Sequence, residues 1–488
     1  MVAEYKNYIN GKWVKSSSGE TFESLNPATE QVLGKFQQGN EEDVKSAIEA
    51  SEKAYDKWYD YPAPKRGEIL FRAAELLKKN KERLGKLVAT EMGKVLKESL
   101  GDVQEAIDMT YYAAGEGRRL LGETTTSELP DKFAMTIRIP IGIIGCITPW
   151  NFPTAIPAWK IMPALICGNT IIFKPSSDTP LCGIEFLKIL IEAGIPNGVI
   201  NMVTGPGNTA GKEIVKNKKI RGISFTGHRD TGKWILENAG IKRVGLELGS
   251  KNGIIIMDDA NLDLALEGVI WGAFGTTGQR CTAASRVIIH KKAKNKFEKM
   301  LVDKVKKLRL GSGINPDADV GPLINKAALE KVSSYVEIGK KEGAKLLYGG
   351  KSIKIKGKGY FFEPRIFTDC DNDMSICQNE IFGPVVSIIE TKDFEDAIEK
   401  INSIDYGLSS SIYTENIGYA FKAMKKIEAG LTYVNSSTIG SEVHLPFGGV
   451  KESGNAREGG IRGIDEFSEI KTIYIDYSRK LQKAQIED

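Results

Sequence analysis

The chain reads as an α/β protein built from two parallel-sheet domains with a small additional β arm, and three observations predict this. Its 488 residues suffice for two or three domains, each with a large core. From Ile139 onward the short apolar runs "IGIIGCI", "NTIIFKP", "GVINMVTG", "IRGISFTG" and "RVGLELG" end in or lead into Gly, Pro, Thr or Lys, with helix-like stretches between most of them. Short Val/Ile-rich strands separated by helices imply βαβ units and a mostly parallel sheet. A second series begins at "NGIIIMDD" and continues through "SRVIIH" and "GPVVSIIE", which places a domain boundary near Gly249.

The remaining elements follow in order. From Asp43 to about Lys94 the apolar residues of "VKSAIEASEKAYDKW" and "GEILFRAAELLKKNKERLGKLVATEMG" recur every three or four positions, which predicts helices. "GETTTSELPDKFAMTIRI" and "EIKTIYIDYS" have β texture without accompanying helices, so they form a small accessory sheet suited to subunit contacts. The lysine-rich "KKAKNKFEKMLVDKVKKLRLG" resembles a basic arm, but Phe297, Leu301, Val305 and Leu308 recur at helical spacing and make it a surface helix.

Composition narrows the function. Lys+Arg 67 against Asp+Glu 63 nearly cancel, so there is no electrostatic case for nucleic acid or membrane partners. The six cysteines are scattered without a C-x-x-C pair, which predicts free thiols in a reducing compartment and no metal site. The start "MVAEYKNYINGKW" lacks a signal pattern, and the longest apolar run, "IPIGIIGCITPW", is too short to span a bilayer. The expectation is a cytoplasmic protein.

Ligands of open parallel sheets bind at the carboxyl ends of the strands. "GPGNTAG" places Gly207 in a G-x-G-x-x-x-G spacing, one residue too long for a dinucleotide fingerprint, and "FTGHRDTG" offers Gly227 and Gly232 at a strand-to-helix turn. In "FGTTGQRCTAAS", Cys281 lies in a run of small and polar residues with no core periodicity. Attack on an electrophile needs its thiolate, which the neighbouring Arg280 favours if it points inward. With three histidines in the whole chain, the base is more readily a carboxylate, and Glu247 in "GLELGSKNG" is costly to bury without a partner. Asn151 in "TPWNFP" is either a turn cap or a donor to a developing oxyanion.

"TPWNFP", "KPSSDTP", "FTGHRDTG", "LELGSKN", "GQRCTAAS", "EIFGPV" and "LPFGGVKESG" occur in the order and spacing of the aldehyde dehydrogenase superfamily, and the similarity runs from "YINGKWV" to "IYIDYS". The resemblance implies two Rossmann-like domains and an oligomerisation arm: dinucleotide binding over 1–118 and 139–248, catalysis over 249–445, and the arm over 119–138 and 465–488. It implies NAD(P)-dependent oxidation of an aldehyde to an acid by a homodimer or homotetramer. Cys281 matches the nucleophile, Asn151 and the Cys281 backbone N–H the oxyanion donors, and Glu247 the base that activates water for thioester hydrolysis. For the cofactor, Lys174 resembles the adenosine-ribose lysine, Glu380 the nicotinamide-ribose carboxylate with Phe382 beside it, and Gly227 and Gly232 the turn under the pyrophosphate. Thr148, Pro149, Trp150, Ser177 and Gly207 fall in the same set. Lys160 and Glu458 match residues with structural or proton-relay roles.

NAD-preferring relatives often carry a glutamate three residues after the lysine; Ser177 stands there, which leans the choice towards NADP. Two positions depart from the pattern. His228 replaces a common serine, and "ELGSK" replaces "ELGGK", a change expected to matter only to backbone freedom. "GQRCTA" is similar to semialdehyde dehydrogenases of the aminoadipate-semialdehyde group and to non-phosphorylating glyceraldehyde-3-phosphate dehydrogenases. The tail "NSSTIGSEVHLPFGGVKESG" looks closer to the former and to 2,5-dioxopentanoate dehydrogenases. Arg280 would then hold a remote substrate carboxylate. The alternatives are a phosphorylated triose, or a generic aldehyde with Arg280 turned towards an acidic side chain. CoA-acylating relatives typically lack the glutamate present here as Glu247, and intact Cys281, Glu247 and Asn151 argue against a non-catalytic relative.

Overall fold

The computed structural model describes residues 2–486. Its first large sheet has seven strands in the spatial order Arg243–Glu247, Ile220–Thr226, Ile143–Ile147, Thr170–Lys174, Ile200–Met202, Asn7–Ile9 and Lys12–Val14. The first five are parallel, and the two N-terminal strands close the edge antiparallel. Chain order reverses between Ile143–Ile147 and Ile220–Thr226, so the crevice where ligands of such sheets bind opens beyond their carboxyl ends.

Both faces of this sheet are covered, which is why its strands read as continuous apolar runs. Ile144 and Cys146 pack into one core with the helices Ala63–Lys79, Leu96–Glu116, Ala155–Cys167 and Pro180–Ala193. Ile143 and Ile147, one pleat away, face the opposite core under Glu41–Asp60 and Arg229–Asn238. Asn40 caps Glu41–Asp60 reciprocally with Asp43, and Gly168 and Gly194 end their helices at φ 99°. The periodicity predicts helix only to about Lys94; the chain adds Leu96–Glu116, and this helix forms one wall of the cavity described below.

The second sheet runs Lys345–Gly349, Arg365–Thr368, Val385–Thr391, Ala284–His290, Asn252–Ile256, Ser409–Tyr413 and Leu431–Val434, parallel except for its first strand. The lysine-rich segment forms the helix Lys291–Val305, with Phe297, Leu301 and Val305 buried; Leu308 packs partly buried beyond its end. The two β-textured segments meet in a three-stranded sheet, where Ser468–Asp476 pairs antiparallel with Lys132–Pro140 from Ser468 opposite Pro140 to Asp476 opposite Lys132. Among the described residues no helix is long and apolar enough to cross a membrane.

Candidate active site

The nucleophile candidate follows a tight turn. Phe274 ends the helix Leu262–Phe274, and Thr276, Thr277 and Gly278 then take φ of 51°, 60° and 68°. Only glycine fits the last of these, because a Cβ at Gly278 would stand 2.3 Å from the Gly383 carbonyl oxygen. The next residue, Gln279, is fully buried, and its Oε1 accepts from the Ile324 N–H at 2.9 Å. Cys281 thus emerges from a loop pinned on both sides. Its carbonyl accepts from Asn252 Nδ2 at 2.7 Å and from Ser250 Oγ. Ser250 therefore does more than stiffen the backbone, contrary to the sequence expectation: its hydroxyl holds the Cys281 carbonyl, and its N–H donates to Glu380 Oε1 at 2.9 Å.

Cys281 opens onto a cavity of about 1170 Å³ whose wall includes Glu247, Thr226, Phe152, Trp159, Arg280 and Glu458. Burial first, then the carboxylates Glu247, Glu380 and Glu105, pushes its thiol up to about 12. Arg280 is not the activator that its sequence position suggested. It turns to Glu98, with Nη2 2.9 Å from Oε1, and its Nε donates to Thr276 Oγ1 at 2.8 Å. Its guanidinium lies 5.5 Å from the Phe152 ring centre and 6.0 Å from that of Trp271. It still lines the cavity, but as a paired cation.

Glu247 ends its strand 3% exposed, and neither carboxyl oxygen has a hydrogen-bond partner. Burial, then repulsion from Glu458, raises its pKa well above the ordinary carboxylate range. Its seat is made by the "FGGVKESG" segment: the Leu248 N–H donates to the Ser453 carbonyl at 2.9 Å, and a Cβ at Gly448 would lie 2.7 Å from Glu247 Oε1. Asn151 is 3% exposed and donates one Nδ2 hydrogen to the Gln279 carbonyl at 3.1 Å, which leaves the other for a ligand. Lys160 is buried with Nζ on Glu458 Oε1 and 3.1 Å from Ser224 Oγ.

The expected cofactor residues gather around the crevice of the first sheet. Thr148, Pro149 and Trp150 follow Ile143–Ile147, and Phe382, at φ 60°, meets Trp150 edge-on at 5.4 Å between ring centres. Burial pushes Glu380 up, against the opposing Ser250 N–H and Lys331. Lys174 ends its strand with Nζ 3.1 Å from the Pro175 carbonyl, and burial lowers it to about 8. Ser177 Oγ donates to the Gly205 carbonyl at 3.0 Å, and Gly207 begins the turn Gly207–Gly211 with open space about it. Gly227 and Gly232 are required by their own neighbours: a Cβ would stand 2.5 Å from the Phe225 ring and from Leu248 Cδ2 respectively. His228 caps the helix Arg229–Asn238 through Nδ1, so it takes over the capping that a serine provides. The crevice, the helix N-terminus and the buried, unpartnered Thr226 Oγ1 fit a dinucleotide at this place. Among the described residues no group of three or more His, Cys, Asp or Glu could hold a metal ion.

Sequence reasoning passed over Glu98, Asn252, Trp159 and the hydroxyl of Ser250. None of them carries a local signal, because each acts through a neighbour more than 25 residues away. Gln279 lay inside a recognised motif, yet its role as the loop's anchor needed the contact with Ile324.

Comparison with known proteins identifies the family. The profile of the "Aldehyde dehydrogenase family" matches residues 13–473. The alpha-ketoglutarate semialdehyde dehydrogenase of Haloferax volcanii is 42% identical over 479 residues, covering 97% of this chain and 99% of that protein. The D-glyceraldehyde dehydrogenase (NADP(+)) of Picrophilus torridus is 39% identical, covering 97% of each. The crystal structure of betaine aldehyde dehydrogenase from Staphylococcus aureus in complex with NAD+ superposes with a TM-score of 0.96 at 35% identity, covering 99% of this chain and 97% of that one. With the family profile spanning nearly its whole length and these relatives aligned end to end, the chain belongs to the aldehyde dehydrogenase family and is an NAD(P)-dependent oxidoreductase acting on aldehydes.

Proposed function

We propose that the protein oxidises a short aldehyde bearing a remote carboxylate, with 2,5-dioxopentanoate (alpha-ketoglutarate semialdehyde) as the first choice, to the corresponding acid. The observation that carries this is one cavity holding a partly exposed cysteine, a buried unpartnered carboxyl and an arginine. The semialdehyde relative from Haloferax volcanii supports the substrate class.

Cys281 passes its thiol proton to the Glu247 carboxylate across the shared cavity, and its Sγ adds to the aldehyde carbon. The oxyanion that forms is held by the free Nδ2 hydrogen of Asn151 and by the Cys281 backbone N–H, each such donor lowering the barrier by about 3–4 kcal/mol. When bound, the nicotinamide supplies the hydride acceptor that turns the adduct into a thioester. Glu247 then takes a proton from water as its oxygen attacks the thioester carbon, and the thiol leaves. A carboxyl whose pKa is raised by burial and by Glu458 is a stronger base once ionised than an ordinary one. Lys160 and Glu458, paired beneath Glu247, provide a route for its proton.

The division of labour is read as dinucleotide binding over 1–118 and 139–248, chemistry over 249–445, and assembly over 119–138 and 465–488. The arm's exposed Phe133, Ile470, Tyr474 and Ile475 suit a subunit contact, which makes a homo-oligomer the working state. Six free cysteines suit the cytoplasm. NADP is the favoured cofactor, since Ser177 stands where NAD-preferring relatives often carry a glutamate, and the Picrophilus relative is an NADP(+) enzyme.

The Arg280–Glu98 pair favours a second reading, a general aldehyde dehydrogenase whose arginine is structural. Absorbance at 340 nm over a panel of neutral, carboxylate-bearing and phosphorylated aldehydes, with and without CoA, separates the two. The proposal requires the carboxylate-bearing semialdehydes to lead in kcat/KM without CoA. Equal rates for neutral aldehydes of similar length would refute it.

A further inference from the structure

Two side-chain donors fill the carbonyl of Cys281, and they are anchored differently. Asn252 Nδ2 lies 2.7 Å from that oxygen and 3.0 Å from the Ala283 carbonyl, while its Oδ1 accepts from the Ser409 N–H at 2.9 Å. Asn252 is thus tied into the second sheet, and none of its partners belongs to the segment that carries Glu380. Ser250 Oγ is the other donor. Its own N–H goes to Glu380 Oε1 at 2.9 Å, the one hydrogen bond that this carboxyl makes among the described residues.

Glu380 rests on the chain leading to Ser250, since a Cβ at Gly249 would stand 2.5 Å from its Oε2. Segment 380–383 touches the nucleophile turn directly at its far end, where the Gly383 carbonyl oxygen packs on Gly278. At its near end the two are separated by a cavity of about 20 Å³, whose lining includes Ser250, Arg280, Glu380 and Phe382. Among the described residues, Ser250 alone is hydrogen-bonded to both sides of this gap. Glycine, which the commoner "ELGGK" pattern has at this position, keeps the N–H and lacks the hydroxyl.

We propose that Ser250 is a positioning residue that couples the cofactor to the nucleophile: Glu380, once fixed by the nicotinamide-ribose hydroxyls, holds the Ser250 N–H, and the Ser250 hydroxyl in turn holds the Cys281 carbonyl. This rests on the reading of Glu380 as the nicotinamide-ribose carboxylate. A carboxylate has about four lone-pair sites, so Glu380 accepts from the ribose without releasing Ser250. The Cys281 backbone is then held from two fixed supports before the aldehyde arrives. Without the cofactor, Asn252 is the only donor with a fixed support.

The test is alkylation of Cys281 by iodoacetamide in the intact enzyme, with and without saturating NADP+ or NAD+, whichever binds more tightly. The other five cysteines are buried, so Cys281 reacts first. Coupling is read as the rate with dinucleotide divided by the rate without it. This ratio should be about fivefold higher in the wild type than in Ser250→Ala, the worth of one hydrogen bond. Shielding of the thiol by the nicotinamide is common to both enzymes and cancels. Ser250→Gly should match Ser250→Ala. In the wild type, ADP or its 2'-phosphate, which lack the nicotinamide ribose, should leave the alkylation rate unchanged. Equal ratios in the wild type and Ser250→Ala would overturn the coupling, and a loss in Ser250→Gly alone would assign the effect to backbone freedom and overturn the role of the hydroxyl. A response to the half-cofactor as large as to the whole would overturn the route through Glu380. Glu380→Ala checks the underlying reading separately: by tryptophan fluorescence it should weaken binding of the dinucleotide and not of ADP or its 2'-phosphate, and an unchanged Kd for the dinucleotide would overturn that reading.

Discussion

Replacing Glu247 by Gln tests both the chemistry and the electrostatics of the site. The two side chains are nearly isosteric, so the 3% exposed pocket is kept while the base is removed. On mixing with aldehyde and oxidised cofactor, the variant should release about one reduced cofactor per active site and then slow by roughly 10²–10⁴-fold, the typical worth of a general base. The structure adds a second consequence. The folded carboxyl has no partner and a pKa well above 4.5, so it keeps its proton where the unfolded chain has lost it. Stability lent by the protonated form is complete below pH 4.5 and falls as pH rises towards the folded pKa, by about 1.4 kcal/mol per pH unit. Gln does not titrate. Glu247→Gln should therefore gain on the wild type as pH rises above 4.5 towards the folded pKa, seen as a widening difference in urea midpoints. Steady turnover at the wild-type rate would refute Glu247 as the base. A midpoint difference independent of pH would refute the claim that its carboxyl is buried and uncompensated.

Three further outcomes follow from the same geometry. Arg280→Leu should lower kcat/KM for 2,5-dioxopentanoate by about 1.5–3 kcal/mol, the worth of a charge-assisted hydrogen bond, with a much smaller loss on an uncharged aldehyde; equal losses would assign Arg280 to holding Glu98 and the Thr276 turn. Ser250→Ala removes one of two donors to the Cys281 carbonyl, and with Asn252 retained the loss in kcat should be near 1 kcal/mol, about fivefold; an unchanged kcat with both cofactors would show that Asn252 holds the loop alone. The ratio of kcat/KM for NADP to that for NAD should exceed one and fall on Ser177→Glu; a preference for NAD above tenfold in the wild type, about 1.4 kcal/mol, would reject the role given to Ser177.

Much of this protein was legible in its residues. The Val/Ile runs identified parallel strands because a strand buried on both faces has no polar alternation to mask it, and Ile143–Ile147, Thr170–Lys174 and Asn252–Ile256 are buried throughout. Cys281, Glu247 and Asn151 were visible because each is chemically out of place in its local pattern. The helix Leu96–Glu116 was not anticipated, and with it Glu98, Asp102 and Glu105 stayed hidden as ordinary surface-type acids in a polar stretch.

The sequence by itself determined the strand and helix types, the order of the motifs and the candidates for the reacting groups, since these rest on local period and on side-chain chemistry. Only the tertiary structure decided which charges are matched. Arg280 reads as a free cation beside a thiol until Glu98, 182 residues earlier in the chain, is brought to 2.9 Å from it. Ser250 reads as a stiffened glycine until its hydroxyl meets the Cys281 carbonyl. Protonation and substrate charge preference depend on burial and on pairwise distances of a few ångströms, which arise only when segments remote in the chain are packed together.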